Sequence, residues 1–182
     1  MNVSFMVSNV FSDHMIFQRN RPIKVWGCAS PCTTIRGEMN DYLVEAVADE
    51  NGRWIIEFPA LEAGGPYEMV IKTQYDAEKR IKDILIGEVW VCSGQSNTDC
   101  PIWGGAPRYR DGWGAMMLLS TTKPFVRLVK NPHQASLDPK FDYKADWMEM
   151  TPAMYDRFKS GKRMPSAMGY YFALELANAL DI

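Results

Sequence analysis

Ser96 stands in the stretch Gly94-Gln95-Ser96-Asn97-Thr98-Asp99, one residue (Ser93) after the apolar run Val89-Trp90-Val91-Cys92. A serine hydroxyl becomes an effective nucleophile only when a general base within hydrogen-bond reach takes its proton. Acyl transfer also needs donors aimed at the developing oxyanion. A sharp turn after a strand supplies part of this, because it lifts Oγ above the sheet edge and points backbone N–H groups toward it. Gly94 admits close approach, and the side-chain amides of Gln95 and Asn97 can donate to a substrate oxygen. The stretch departs from the G-x-S-x-G nucleophile elbow, since position 98 is Thr. The residues alone therefore leave a plain structural turn as the alternative.

The chain has two histidines that could serve as a base. His14 follows Asp13, and His133 lies in Asn131-Pro132-His133-Gln134, a loop after a candidate strand. Residue type assigns neither to a triad. The four cysteines, Cys28, Cys32, Cys92 and Cys100, form no C-x-x-C, so no metal site is expected. Cys92 reads as a small buried thiol, while Cys28 and Cys32 could pair or stay free. Trp90, Trp103, Trp113 and Trp147 could stack on the rings of a ligand. Trp90 reads as core, and Trp103 and Trp113 as a substrate wall or lid packing. Arg108 and Arg110 could approach an anionic ligand or simply be solvated. The twelve methionines read as core filler.

The elements that must position these residues change character along the chain. Residues 23–27, 33–39, 42–48, 53–58 and 67–72 are short, β-branched or aromatic segments separated by turn signals. Strands at this spacing without helices predict an antiparallel β-sandwich over residues 1–80. Asn51-Gly52 predicts a hairpin between two of them. From residue 81 to 182 the pattern is strand, connection, strand, loop and helix, the opening of an α/β domain. Ile81 to Ser93 reads as one strand buried on both faces, as in a parallel sheet. Phe125 to Val129 predicts a second strand. Ser166 after Pro165 predicts the cap of a terminal helix, with Met168, Tyr171, Phe172, Leu176 and Ala179 at helical spacing.

Composition is globular, with 47% hydrophobic and 23% charged residues. A net charge of -2 gives no reason to expect nucleic acid or an anionic membrane as partner. No apolar run reaches membrane-spanning length, and the N-terminus lacks the basic start and apolar core of a signal peptide. The expected compartment is the cytoplasm, or the outside of the cell if a leader precedes the chain.

Four blocks in order carry a family resemblance. They are Phe11 to Pro31, Phe58 to Tyr67, Gly87 to Asn97 (GEVWVCSGQSN) and Met164 to Leu180. Together they resemble the sialate O-acetylesterase-like branch of the SGNH hydrolases. The resemblance implies a serine esterase that removes O-acetyl groups from sugars, with Ser96 as nucleophile and its own N–H in the oxyanion hole. Gly94, Gln95, Asn97 and Asp99 are then candidate oxyanion and substrate contacts. It implies a flavodoxin-like sheet whose first strand is Ile84 to Cys92, and a structural role for His14 in the β-domain signature.

Two departures follow from the same blocks. The family's Met-Glu after Asn is Thr98-Asp99 here, and its later S-S-W-G-G and D-x-x-H segments are not in this sequence. The expectation is an α/β part that is incomplete before its catalytic base, with no cofactor. Partners expected are an O-acetylated sugar and either self-association or a complementing C-terminal segment. The alternatives are an inactive fragment and a β-sandwich interaction module.

Overall fold

Strict alternation of apolar and polar residues builds the first half of the molecule. In the computed structural model, residues 4–101, 126–131, 135–143, 146–151 and 165–182 are described. The chain divides into two compact units, Met1–Val89 with Asn131–Asp146, and Trp90–Lys130 with Trp147–Ile182.

Eight strands make up the first unit: β1 (Met6–Val7), β2 (Ile16–Gln18), β3 (Ile23–Cys28), β4 (Thr34–Met39), β5 (Tyr42–Val47), β6 (Arg53–Phe58), β7 (Gly64–Thr73) and β8 (Glu78–Gly87). They form a three-stranded sheet, β1-β3-β6, and a five-stranded sheet, β2-β8-β7-β4-β5. All pairings are antiparallel except β2 with β8, which is parallel. The expectation of a purely antiparallel domain is corrected at that edge. β6 buries Trp54, Ile56 and Phe58 and exposes Arg53, Ile55 and Glu57. β4 buries Ile35 and Met39 on the same alternation. Gly37 lies between them, and a Cβ there would fall 2.4 Å from Ile56 Cδ1 and 2.9 Å from Phe58 Cζ. The missing side chain is what lets the two strands' apolar faces meet. Each of these large residues contributes about 1.5–3 kcal/mol by leaving water.

Asn40, at φ 53°, turns β4 directly into β5, with Met39 opposite Tyr42. The hairpin expected at Asn51-Gly52 does not form, because β5 and β6 belong to different sheets. Asp49 organises a corner instead. Its Oδ1 accepts from the N–H groups of Asn51 and Arg53, at 2.9 and 2.8 Å, and Gly52 takes φ 75°. The turn chemistry is the same whether the next strand returns or crosses over, so the local signal could not distinguish them.

A segment far along the chain completes this unit. Asp142 accepts from Ser8 Oγ at 2.7 Å, Asn9 N–H at 2.7 Å and Asn9 Nδ2 at 2.6 Å. Trp26 Nε1 donates to the Phe141 carbonyl at 3.3 Å, and the Arg53 guanidinium lies over the Phe141 ring. Partial burial pushes the Asp142 carboxyl upward, but the hydrogen bonds from Ser8 and Asn9 outweigh it and hold the group below its ordinary value.

In the second unit, β9 (Arg127–Val129) and β10 (Trp147–Glu149) pair antiparallel, and α1 spans Ala167–Leu180. Val126, Met148, Met150 and Tyr170 form its buried cluster, with Leu128, Tyr171, Ala173, Leu174 and Ala177 packed around them. Ser166 caps α1 as expected, its Oγ accepting from Gly169 N–H at 3.1 Å. The buried face differs from the expected one. Met168, Phe172 and Ala179 are exposed, whereas Gly169 and Tyr170 are buried, because the cluster meets the helix on that side.

The long apolar run is also corrected. Ile81, Ile84 and Ile86 are buried in β8, which belongs to the first unit and ends at Gly87. Residue 80 thus falls inside β8, and the units part at Val89 and Trp90. Residues 88–94 have no strand partner among the described residues. Trp90 and Val91 are 60% and 90% exposed, and Cys92 is exposed, so none is core. Apolar character reports what a segment can bury, not whether a neighbour is there to bury it.

Candidate active site at the Ser96 turn

The approach to Ser96 is fixed where the chain leaves β8. Arg19 Nε donates to Glu88 Oε1 at 2.7 Å, Arg19 N–H to the Gly87 carbonyl at 2.8 Å, and Val89 N–H to Gln18 Oε1 at 2.8 Å. Two residues of one block of the sequence, Gln18 and Arg19, therefore clasp three of another, Gly87 to Val89. Nearby, Asp13 Oδ1 accepts from Lys82 N–H, and His14 Nδ1 lies 2.6 Å from Asp83 Oδ2. His14, at φ 67°, ties the start of the chain to β8.

In the second unit, Trp90 meets Phe172 of α1 edge-on at 5.3 Å between ring centroids. The chain then bends at residues 95–99, closed by Asp99 N–H donating to the Gln95 carbonyl at 2.9 Å. Gln95, Ser96 and Asn97 are exposed at the bend, and Thr98 is half-buried. Thr98 explains Gly94: a Cβ there would sit 2.2 Å from Thr98 Oγ1. Beyond the bend, Ala167 N–H donates to the Cys100 carbonyl at 2.9 Å, and Pro101 bridges to Ser166. The bend is thereby pinned to the start of α1.

Gly94, Gln95, Ser96, Asn97 and Asp99 are thus brought together in one exposed turn. Asp99 faces a partner that sequence reasoning missed, Lys130, whose Nζ lies 2.5 Å from Asp99 Oδ1. Lys130 follows β9 as one more cation after an apolar strand, and nothing in its sequence context marked it. Among the described residues, no hydrogen bond reaches Ser96 Oγ, and the second unit contains no histidine. His133, Trp103, Trp113, Arg108 and Arg110 lie outside the described residues. Trp147 is half-buried in β10, opposite Val129. The turn offers a solvent-reachable hydroxyl, close backbone N–H groups and two free-standing amide side chains. What it offers chemically is a hydroxyl and hydrogen-bond donors, with no base bonded to that hydroxyl among the described residues.

No protein family model matches the chain. Human sialate O-acetylesterase is 27% identical over 107 residues, and the mouse protein 26% over 105. Each match takes in 52% of this chain, and 20% and 19% of those relatives. A solved carbohydrate acetylesterase from Xanthomonas citri resembles 97% of the chain with a TM-score of 0.83 and 27% identity. The chain covers 38% of that protein.

Proposed function

The chain is sialate O-acetylesterase-like in sequence and fold, and from that premise we propose that it is part of a serine hydrolase that removes O-acetyl groups from sugars. Its substrate is an O-acetylated carbohydrate. Ser96 Oγ attacks the acetyl carbonyl carbon while a base takes its proton. The sugar oxygen departs with that proton, and water then releases acetate from the acetyl-enzyme. Backbone N–H groups at the turn, with Gln95 and Asn97, receive the oxyanion. The observation that carries this reading is the exposed, backbone-closed turn holding Ser96 in a chain whose fold matches an acetylesterase along nearly its whole length.

The finer architecture belongs to the same proposal. The two sheets of the first unit are a β-sandwich, and the second unit is the opening part of an SGNH-type α/β domain. The base comes from residues outside these 182. Ser96 has no hydrogen-bonded base among the described residues, which favours an inactive chain when it is tested by itself. Aryl acetate hydrolysis by the chain is expected to equal that of Ser96→Ala. Fusion to the part of the Xanthomonas citri enzyme that lies beyond the matched region is expected to give hydrolysis that Ser96→Ala abolishes. A Ser96-dependent acetyl-enzyme burst from the chain alone would remove the external base from the proposal. A folded fusion with no Ser96-dependent activity would sink the esterase reading.

A further inference from the structure

We infer that Lys130 is a positioning residue for the Ser96 turn, holding Asp99 and through it the arc that presents the serine. The inference rests on the reading of Ser96 as nucleophile, and it begins from the contacts that fix the arc among the described residues. Residues 95–97 are exposed, and one backbone hydrogen bond, Asp99 N–H to the Gln95 carbonyl, closes them. A single exposed bond of this kind competes with water and contributes little by itself. Asp99 is the residue at which a second restraint enters, because its carboxylate meets Lys130 Nζ at 2.5 Å.

Lys130 is suited to that task by where it is rooted. It follows β9, whose Leu128 and Val129 pair with Met148 and Trp147 of β10. β9 begins beside Val126, in the buried cluster with Met148, Met150 and Tyr170. The Lys130 side chain is only 21% exposed, against 47% for Asp99, so its stem is packed while the acid is accessible. The pair therefore joins an exposed partner to a more buried one, and less side-chain freedom is lost in forming it. Directly beyond Asp99 the chain is held by the Cys100 and Pro101 contacts with Ala167 and Ser166, and Lys130 adds a side-chain restraint at Asp99 itself. Its ammonium meets the Asp99 carboxylate, and through that contact it acts on the turn that carries the serine.

Amide exchange in the intact chain tests this. Lys130→Met is expected to speed exchange of the Asp99 amide about fivefold, the scale of an ion pair near the surface. The Met150 amide, bonded to the Val126 carbonyl, is the internal control and should not change. Lys130→Arg should restore the Asp99 rate to within about twofold, and Lys130→Asp combined with Asp99→Lys should do so as well. These two variants keep a pair and serve if Lys130→Met fails to fold. Unchanged Asp99 exchange in Lys130→Met would overturn the inference. Equal acceleration at Asp99 and Met150 would overturn it too, since that describes packing alone. In the fusion, Lys130→Met should lower kcat about fivefold with KM held, and Lys130→Arg should recover it. An unchanged kcat beside faster exchange would also sink the inference. A fusion inactive with Lys130 intact counts against the esterase reading, and the exchange rates then decide the role of Lys130 on their own.

Discussion

The two units solve the same problem with unequal means. The first closes two sheets over Trp54, Ile56, Phe58, Ile35, Met69, Ile71 and Ile81, all essentially without solvent contact. The second has a two-stranded ladder, one helix and a buried cluster of four residues among those described. Its helix leaves Met168 and Phe172 in water, and Trp90 and Val91 precede the turn with little cover. A two-stranded sheet is marginal without further packing. The contrast teaches that, among the described residues, the part with the clearer chemistry is the part with the smaller buried cluster.

The largest test of the contrast lies at Trp54. Trp54→Ala is expected to cost about 3–5 kcal/mol of stability, read from urea unfolding. A loss below about 1 kcal/mol would mean that the first unit is not held by this core. Two glycines sharpen the comparison next. At Gly27 a Cβ would lie 2.0 Å from the Met6 carbonyl oxygen and 2.4 Å from the Trp54 ring, so Gly27→Ala should cost about 1–3 kcal/mol. At Gly169 the nearest atom, Cys92 Sγ, is 3.4 Å away, an ordinary contact within a helix. Gly169→Ala should therefore stabilise by about 0.5–1 kcal/mol. Thermal unfolding of the two variants that moved in the same direction would contradict this account.

A smaller effect is expected from the exposed apolar residues. Replacing Trp90, Val91 and Phe172 together with Ser should reduce binding of a hydrophobic dye and any self-association seen by light scattering. Undiminished dye binding would place the sticky surface elsewhere, for instance along β5, where Leu43 and Val47 are exposed. The smallest effect concerns pH. The Asp142 carboxyl is held below its ordinary value of 3.8, so its contribution is present above that pH and is lost as pH falls through the lower folded value. Asp142→Asn should flatten the acid limb of the stability curve while changing little at neutral pH. An identical acid limb in the variant would show that the hydrogen bonds from Ser8 and Asn9 carry no such linkage.

Much of this was legible in the residues. Alternation located β3 to β6 within a residue and β7 except for its first three residues, and Ser166 marked the start of α1 because an N-cap is a local event. The four blocks led from the sequence to the resemblance that the acetylesterase fold now supports. Less local facts were hidden. The end of β8, Ile84 to Ile86, and the segment Val89 to Cys92 are equally apolar, and only pairing partners separate them. Asn51-Gly52 encodes a turn but not the sheet that receives the next strand. Within the site, Ser96 and its neighbours could be named from one short block. Lys130 could not, since it reaches Asp99 from 31 positions downstream and ion pairs of that separation leave no periodic trace.

The Asp142 contacts have a practical consequence for anyone who wishes to cut the molecule. The chain passes from one unit to the other three times, at Val89–Trp90, Lys130–Asn131 and Asp146–Trp147. A fragment ending at residue 80 would sever β8 and discard Ile81, Ile84 and Ile86. One ending at Val89 would keep the sheets yet strip Ser8, Asn9 and Trp26 of their acceptors in Phe141 and Asp142. A self-sufficient piece needs residues 131–146 grafted back by a short linker, so that excision becomes a splice and not a truncation.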